Sequence, residues 1–202
     1  MRLRPGDQLL VATHNAGKLA EISALLAPFR IDVTSSDELG LPEPDETEDS
    51  FVGNARIKAH AGAAASGLMT LADDSGITVD ALGGAPGVHT ADWAETPAGR
   101  NFALAMTRCW TMLQDTDAPF PRLAQFRCTL VLADPDGAER VFEGMVAGQL
   151  VWPIRGDAGH GYDPIFLPDG HDVTFGEMDR DTKNRISHRA VALRKFIAEC
   201  LS

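Results

Sequence analysis

The sequence predicts an α/β protein built on a mixed sheet, with a second lobe, and three observations carry that reading. Short apolar strand runs alternate with helical patterns over residues 9–72. Two longer strand runs separated by a tight turn follow in the second half. Polar, glycine-bearing loops at 13–18, 73–76 and 160–164 fall where apolar strand runs end, the place where open α/β sheets hold ligands. The chain has 202 residues, enough for a sizeable core, and reads as one domain over 1–202.

Leu9–Thr13 is a continuous apolar run of the kind buried on both faces of a sheet. Gly17–Phe29 places Leu19, Ile22, Leu25 and Leu26 at helical spacing, and Ile31–Thr34 reads as a second strand. The stretch LGLPEPDETEDS, residues 39–50, is a loop rich in proline and acid. Phe51–Ser66 is an alanine-rich helix, and Met69–Ala72 is a strand that runs into DDSG, residues 73–76. After the glycine-rich ALGGAPGVHTADW, residues 81–93, a helix is expected over Ala98–Gln114. Its Phe102, Ala105, Met106, Cys109 and Leu113 share one side. Gln125–Ala133 and Arg140–Val151 form a hairpin across DPDG. A glycine-rich loop, RGDAGHGYDP at 155–164, precedes a closing helix over Ile186–Leu201.

Charge and cysteine content narrow the function classes. With 29 acidic against 18 basic residues the formal net charge is -11. Such a chain is a poor general binder of duplex DNA, whose affinity rests on phosphate neutralisation, so no nucleic-acid partner is expected. Cys109, Cys128 and Cys200 are odd in number and far apart, with no CxxC pair. They read as reduced, buried thiols of a cytoplasmic protein. The start MRLRPGDQLLVAT lacks the pattern of a signal peptide, and no apolar run approaches the roughly 18 residues of a membrane helix.

Several stretches carry chemistry, each with a plainer reading beside it. Thr13-His14-Asn15-Ala16-Gly17-Lys18 joins a strand to a helix start, where free amides and a lysine suit an anion. It lacks the phosphate-loop pattern and GxGxxG, and it reads equally as a capped helix start with a surface lysine. In LADDSG the carboxylates Asp73 and Asp74 would point to opposite sides of a strand, one as Mg²⁺ ligand or general base and the other to cap or orient. The same residues suit an Asx-turn. EPDETEDS, 43–50, holds five carboxylates, one of which would join Asp74 on a metal unless the loop is merely solvated. Asn54 and Lys58, four apart, share a helix face that would flank this loop or form an exposed polar stripe. In GHGYDP, 159–164, the rings of His160 and Tyr162 offer faces for stacking on a base, or a structural turn with a packed tyrosine. Lys183, Arg185, His188 and Arg189 cluster at the expected start of the last helix, where a bound anion would relieve the unfavourable charge. Together these features describe a nucleoside triphosphate site.

Five stretches occur in order between residues 11 and 193: VATHNAGKLAEI, TEDSFVGNARIKA, LADDSGITVDALGGAPGV, GYDPIF and ISHRAVAL. On them the chain resembles the inosine/xanthosine triphosphate pyrophosphatases, the non-canonical purine nucleoside triphosphate pyrophosphatases of the Ham1 type. The resemblance implies a mixed, elongated central sheet flanked by helices, two lobes around a deep cleft, and a homodimer. It implies Mg²⁺-dependent cleavage of ITP, dITP and XTP to the monophosphate and pyrophosphate. Carried over by position, Thr13, His14, Asn15, Ala16, Gly17 and Lys18 would hold the triphosphate, with Asn54 and Lys58 on the flanking helix. Asp74 would be the catalytic carboxylate, Glu46 and Asp74 the metal ligands, and Ser75 a substrate contact. His160, Gly161, Tyr162, Asp163, Lys183, His188 and Arg189 would bind the nucleotide. Three residues depart from the pattern: His14 replaces a frequent glycine, His160 a usual phenylalanine, and Asp92 an arginine common in bacterial relatives. A pyrophosphatase for another modified or pyrimidine nucleotide, and a nucleotide sensor, are the rival readings.

Overall fold

The computed structural model describes residues 1–201. Along them lie β1 (Gln8–Val11), α1 (Ala16–Leu26), β2 (Asp32–Ser35), α2 (Phe51–Ser66), β3 (Met69–Val79), β4 (Pro86–Gly87) and α3 (Phe102–Asp115). There follow β5 (Arg122–Ala133), β6 (Glu139–Leu150), β7 (Phe166–Pro168), α4 (Arg180–Ile186) and α5 (His188–Cys200). The strands form one mixed sheet in the order β2-β1-β3-β5-β6-β7, with β4 paired to β3. Helices flank it, as the sequence predicts.

Two compact units divide the chain, and three long strands contribute to both. The first comprises residues 1–74, 128–144 and the chain from 191 onward; the second comprises 75–127 and 145–190. In the first, β1 runs parallel to both β2 and β3, with Leu9 opposite Val33 and Met69. Parallel neighbours require crossovers, which α1 and α2 supply. Leu9, Leu10 and Val11 are buried, as a continuous apolar run in a parallel sheet demands. Leu9 and Val11 pack with Ile22 and Leu26 of α1 and with Leu130, Leu132, Phe142 and Phe196. Helix α2 buries Ala55, Ala59 and Ala63 against Ala72, Val131 and Ala133. Asn54 and Lys58 lie on its buried side too, so the exposed polar stripe is not formed. In the second unit Ile77, Val79, Trp110, Leu113, Phe126, Tyr162, Phe166 and Phe175 form one core.

The hairpin sits where the turn chemistry puts it. Gly137 N donates to Asp134 O at 3.1 Å and closes the link between β5 and β6. Three boundaries differ from the expectations. Strand β3 continues to Val79, so Asp73 and Asp74 lie in mid-strand and no Asx-turn forms. Ile77 and Val79 supply apolar side chains to the second core, which favours extension. The closing helix is broken at Ser187, whose ψ of 156° is extended. Its hydroxyl accepts from Ala190 N at 3.2 Å and starts α5 afresh. Helix α3 begins at Phe102 because Asn101 caps it, accepting from Leu104 N. Cys109, Cys128 and Cys200 are buried thiols outside any disulfide. No described helix is long and apolar enough to cross a membrane.

Candidate active site

In the first unit, the junction of β1 and α1 is organised by short polar side chains. Thr13 is buried, and its hydroxyl accepts from Asn15 N at 3.1 Å. Asn15 caps α1, its Oδ1 accepting from Lys18 N at 3.1 Å. This leaves Ala16 and Gly17 exposed in the first turn, where amides precede the intrahelical ladder and a small side chain permits close approach. Lys18 is no surface lysine. Its Nζ lies 3.0 and 2.8 Å from the two carboxylate oxygens of Asp73. The plainer reading, a capped helix start, is right about the cap and wrong about the lysine. His14 Nε2 lies 3.0 Å from the carbonyl of Leu41.

Consecutive residues of β3 send Asp73 to Lys18 and Asp74 to Asn54, whose Nδ2 donates to Asp74 Oδ2 at 3.3 Å. The other end of the same amide accepts from Glu48 N at 3.0 Å, which ties the acidic segment to the strand. Lys58 Nζ donates to Glu46 Oε1 at 2.6 Å. Gly53 allows the segment to fold this closely: a Cβ there would come 2.5 Å from Glu48 Cβ and 2.9 Å from Ser50 Oγ. Ser50 in turn caps α2 by accepting from Gly53 N.

The electrostatics follow from burial. Burial pushes the Asp74 carboxyl up to about 6; Lys58 and Asn54 oppose the rise, while Glu46 and Asp73 add to it. Burial alone would lower Lys58, but the attraction of Asp73, Asp74 and Glu46 prevails and holds its pKa above the ordinary value. Lys58 therefore stays charged at the centre of three carboxylates.

This donor set fits a hard divalent cation. Among the described residues no group of three or more His, Cys, Asp or Glu side chains forms a protein-only metal cage. Mg²⁺ is usually held otherwise, by one or two carboxylates with water and substrate phosphates completing the shell. Glu46 is exposed and Asp74 carries a raised pKa in a field of other carboxylates, so an added positive charge there is favoured.

In the second unit, Asp163 is the hub. It is 2% exposed, accepts from His160 N at 2.5 Å, and pairs with Lys183 Nζ. Gly159 has φ of +81°, and a Cβ there would collide with the Asp163 carboxylate. The turn GHGYDP is thus wound around this one side chain. His160 is exposed and sits edge-to-face on Phe102, ring centroids 4.7 Å apart. Tyr162, by contrast, is fully buried in the second core and meets Phe102 at 6.3 Å. Its ring is not a stacking platform; the packed-tyrosine reading holds, because the aromatic surroundings offer more apolar contact than solvent does. Burial also pushes the Tyr162 hydroxyl pKa well above the ordinary phenol value.

Lys183 lies in the last turn of α4 together with Arg185. A helix C-terminus favours positive charge, so these two need no bound anion to offset a helix-start cost. His188 and Arg189 do open α5. His188 is stacked on Phe126 at 4.9 Å and 10°, and Arg189 Nη2 donates to Ser75 Oγ at 3.3 Å. Ser75 follows Asp74 in β3, so this strand carries one such contact at each of two consecutive residues. Sequence reasoning misses Phe102, Phe126 and the Leu41 carbonyl as supports. Phe102 and Phe126 read only as core residues, and a backbone carbonyl leaves no sequence signal.

A model of the Ham1 family matches residues 9–199. The dITP/XTP pyrophosphatase of Ruegeria pomeroyi is 66% identical over 195 residues, covering 96% of this chain and 96% of that protein. The dITP/XTP pyrophosphatase of Caulobacter vibrioides is 52% identical, covering 96% of this chain and 97% of its own. Among solved structures, a HAM1 protein from Coxiella burnetii matches with a TM-score of 0.89 at 36% identity, over 95% of this chain and 97% of that one. The nucleoside-triphosphatase / dITP/XTP pyrophosphatase from Mycobacterium abscessus matches with a TM-score of 0.77 at 36% identity, over 94% and 98%. With the motifs in order, the fold matched and the family model spanning nearly the whole length, this chain belongs to the Ham1 family.

Proposed function

We propose that the chain is a Mg²⁺-dependent pyrophosphatase that hydrolyses dITP, ITP and XTP to the monophosphate and pyrophosphate, working as a single domain and as a homodimer in the cytoplasm. The substrate class is supported by relatives named dITP/XTP pyrophosphatase at 66% and 52% identity. The observation that carries the chemistry is the buried Asp74, oriented by Asn54 and set beside Lys58, Glu46 and Asp73.

Water attacks the α-phosphorus, the bond from that phosphorus to the β-bridging oxygen breaks, and pyrophosphate leaves with the bonding electrons. Asp74 orients the water and takes its proton. Without metal the Asp74 carboxyl is pushed up to about 6 and is still ionised at neutral pH, so it is available as base or ligand. The exposed first turn at Ala16 and Gly17, with Thr13, Asn15 and Lys18, receives phosphate oxygens, and Lys18 and Lys58 offset charge that moves onto the leaving group. Glu46 and Asp74 are the residues that would hold Mg²⁺, which when bound neutralises phosphate charge and orients its oxygens. His160, Gly161, Lys183, His188 and Arg189 bind the nucleoside end. Tyr162 and Asp163 hold that loop in shape, and Ser75 holds Arg189. A purine 6-oxo group accepts a hydrogen bond where the adenine 6-amino group donates, so a donor at that position disfavours ATP.

The test is Asp74→Asn, assayed for pyrophosphate release from dITP at saturating Mg²⁺. A fall in kcat of roughly 10²- to 10⁴-fold is expected for loss of a general base. Near-normal kcat would overturn the assignment.

A further inference from the structure

The residues from Pro42 to Glu48 have no regular secondary structure, yet they carry Glu46. Three side-chain ties hold this segment. Lys58 grips Glu46 and Asn54 accepts from Glu48 N at its far end. At its near end His14 reaches in from outside the segment, with Nε2 3.0 Å from Leu41 O and Nδ1 3.8 Å from Glu43 Oε2. A carbonyl oxygen only accepts, so Nε2 carries the proton and donates. Nδ1 then faces a carboxylate.

Leu41 N also donates to Ser36 O at 2.9 Å, so His14 adds a side-chain tie to the carbonyl side of a residue whose amide is already bonded. A cavity of about 100 Å³ is lined by Ala12, His14, Leu41, Pro42, Glu43 and Lys58, among others. It lies between the segment, the β1–α1 loop and α2. This cavity is partly open to solvent, so packed side chains do not fill the space beside the segment. If the His14 bond is lost, the segment has room to settle inward and carry Glu46 with it.

We propose that His14 is a positioning residue: its imidazole pins the acidic segment to the β1–α1 loop and thereby sets the place of Glu46 for the divalent cation. The inference rests on the reading of Glu46 and Asp74 as the cation's carboxylates. His14 does not touch phosphate in this role; it acts through the backbone of Leu41 and the segment that follows.

The experiment compares wild type, His14→Gly and His14→Gln, with Glu46→Gln as reference. One readout is amide hydrogen exchange over residues 41–48 in the protein without nucleotide or metal. The other is the Mg²⁺ concentration that half-saturates pyrophosphate release from dITP. His14→Gly should speed exchange across 41–48 by roughly 10-fold, leaving the buried parts of β1 and α2 as they were. It should raise the half-saturating Mg²⁺ by roughly 10-fold while kcat at saturating Mg²⁺ stays within about 2-fold, as for loss of an outer-shell support. His14→Gln, whose amide nitrogen can donate to the same carbonyl, should restore both. Unchanged exchange in 41–48 overturns the pin. So does a fall in kcat at saturating Mg²⁺ with the Mg²⁺ requirement unaltered, which would make His14 a substrate contact. If Glu46→Gln raises the Mg²⁺ requirement and His14→Gly does not, the pin alone fails. If neither variant does, the carboxylate reading of Glu46 fails instead.

Discussion

Asp74 stands in conflict with its surroundings, and that conflict is measurable. Its folded pKa of about 6 lies above the roughly 3.9 of an unfolded aspartate, so the folded state binds this proton more tightly. Stability of the metal-free protein therefore rises as pH falls from above 6 to below 4, as far as this group is concerned, and above 6 the charged form costs stability. Asp74→Asn removes that cost. The variant should be more stable than wild type at pH 8 by on the order of 2 kcal/mol in chemical denaturation without metal, with the difference gone by pH 4. An asparagine variant that is less stable at pH 8 would show that Asp74 is not under strain. Lys18 behaves in the opposite sense. Lys18→Met leaves the Asp73 carboxylate, 3% exposed, without its lysine, and a loss of roughly 3 kcal/mol is expected on breaking a buried pair from one side. At this scale the sequence was partly transparent. Lys18 and Asp74 stand out by residue type and motif, whereas Glu46 is singled out among five carboxylates only by the family resemblance. The Lys18–Asp73 pair does not, because its members are 55 residues apart and only the parallel register of β1 and β3 brings them together.

Elements carry the next layer. Helix α2 is held at its start by the Ser50 cap and along its exposed side by Arg56 and His60, four residues apart, which both reach Glu139. Their hydrogen bonds, Arg56 first, pull the Glu139 carboxyl down to about 2. Its folded pKa is below the unfolded value of roughly 4.3, so the stabilisation is present above that value and is lost as pH falls toward 2. Arg56 is 48% exposed, so solvent screening limits the contribution to about 1 kcal/mol. Glu139→Gln should lose that much at pH 7, and the two proteins should converge in acid titrations near pH 2. Ser50→Ala should cost about 1 kcal/mol through the lost cap, read as a lower denaturation midpoint. Element identity was legible from periodicity, and most strands and helices fall within a few residues of expectation. The exceptions have one tertiary and one local cause. DDSG reads locally as a turn, and Ile186 reads as the start of the closing helix. In the folded chain Asp73 and Asp74 find tertiary partners that keep β3 extended, and Ser187 becomes a cap that divides α4 from α5. Tyr162 misleads in the same way, since a lone tyrosine in a polar loop looks available until the core that swallows it is known.

For the molecule as a whole, two exposed aromatic side chains on the second unit, Phe120 and Trp152, offer a candidate face for the proposed homodimer. Phe120 is 71% exposed, Trp152 stacks on Trp110 at 5.6 Å, and the Arg122 guanidinium lies 4.1 Å from the Trp110 ring and 4.6 Å from Phe120. Arg122 Nε and Nη1 are buried with no hydrogen-bond partner among the described residues. Exposed aromatic side chains grouped in this way are a common mark of an interaction surface. Phe120→Asp should convert a dimer to a monomer in light scattering while the fold by circular dichroism is kept; a mass unchanged by the substitution would move the interface elsewhere. What leaves the active site identifies the reaction. The direct measurement is a product assay across dITP, XTP, GTP, ATP and dTTP with Mg²⁺, resolving pyrophosphate from orthophosphate. Pyrophosphate and monophosphate from dITP and XTP, at kcat/KM well above the values for ATP and dTTP, are the expected result. Release of orthophosphate, or equal turnover of ATP, would contradict the account.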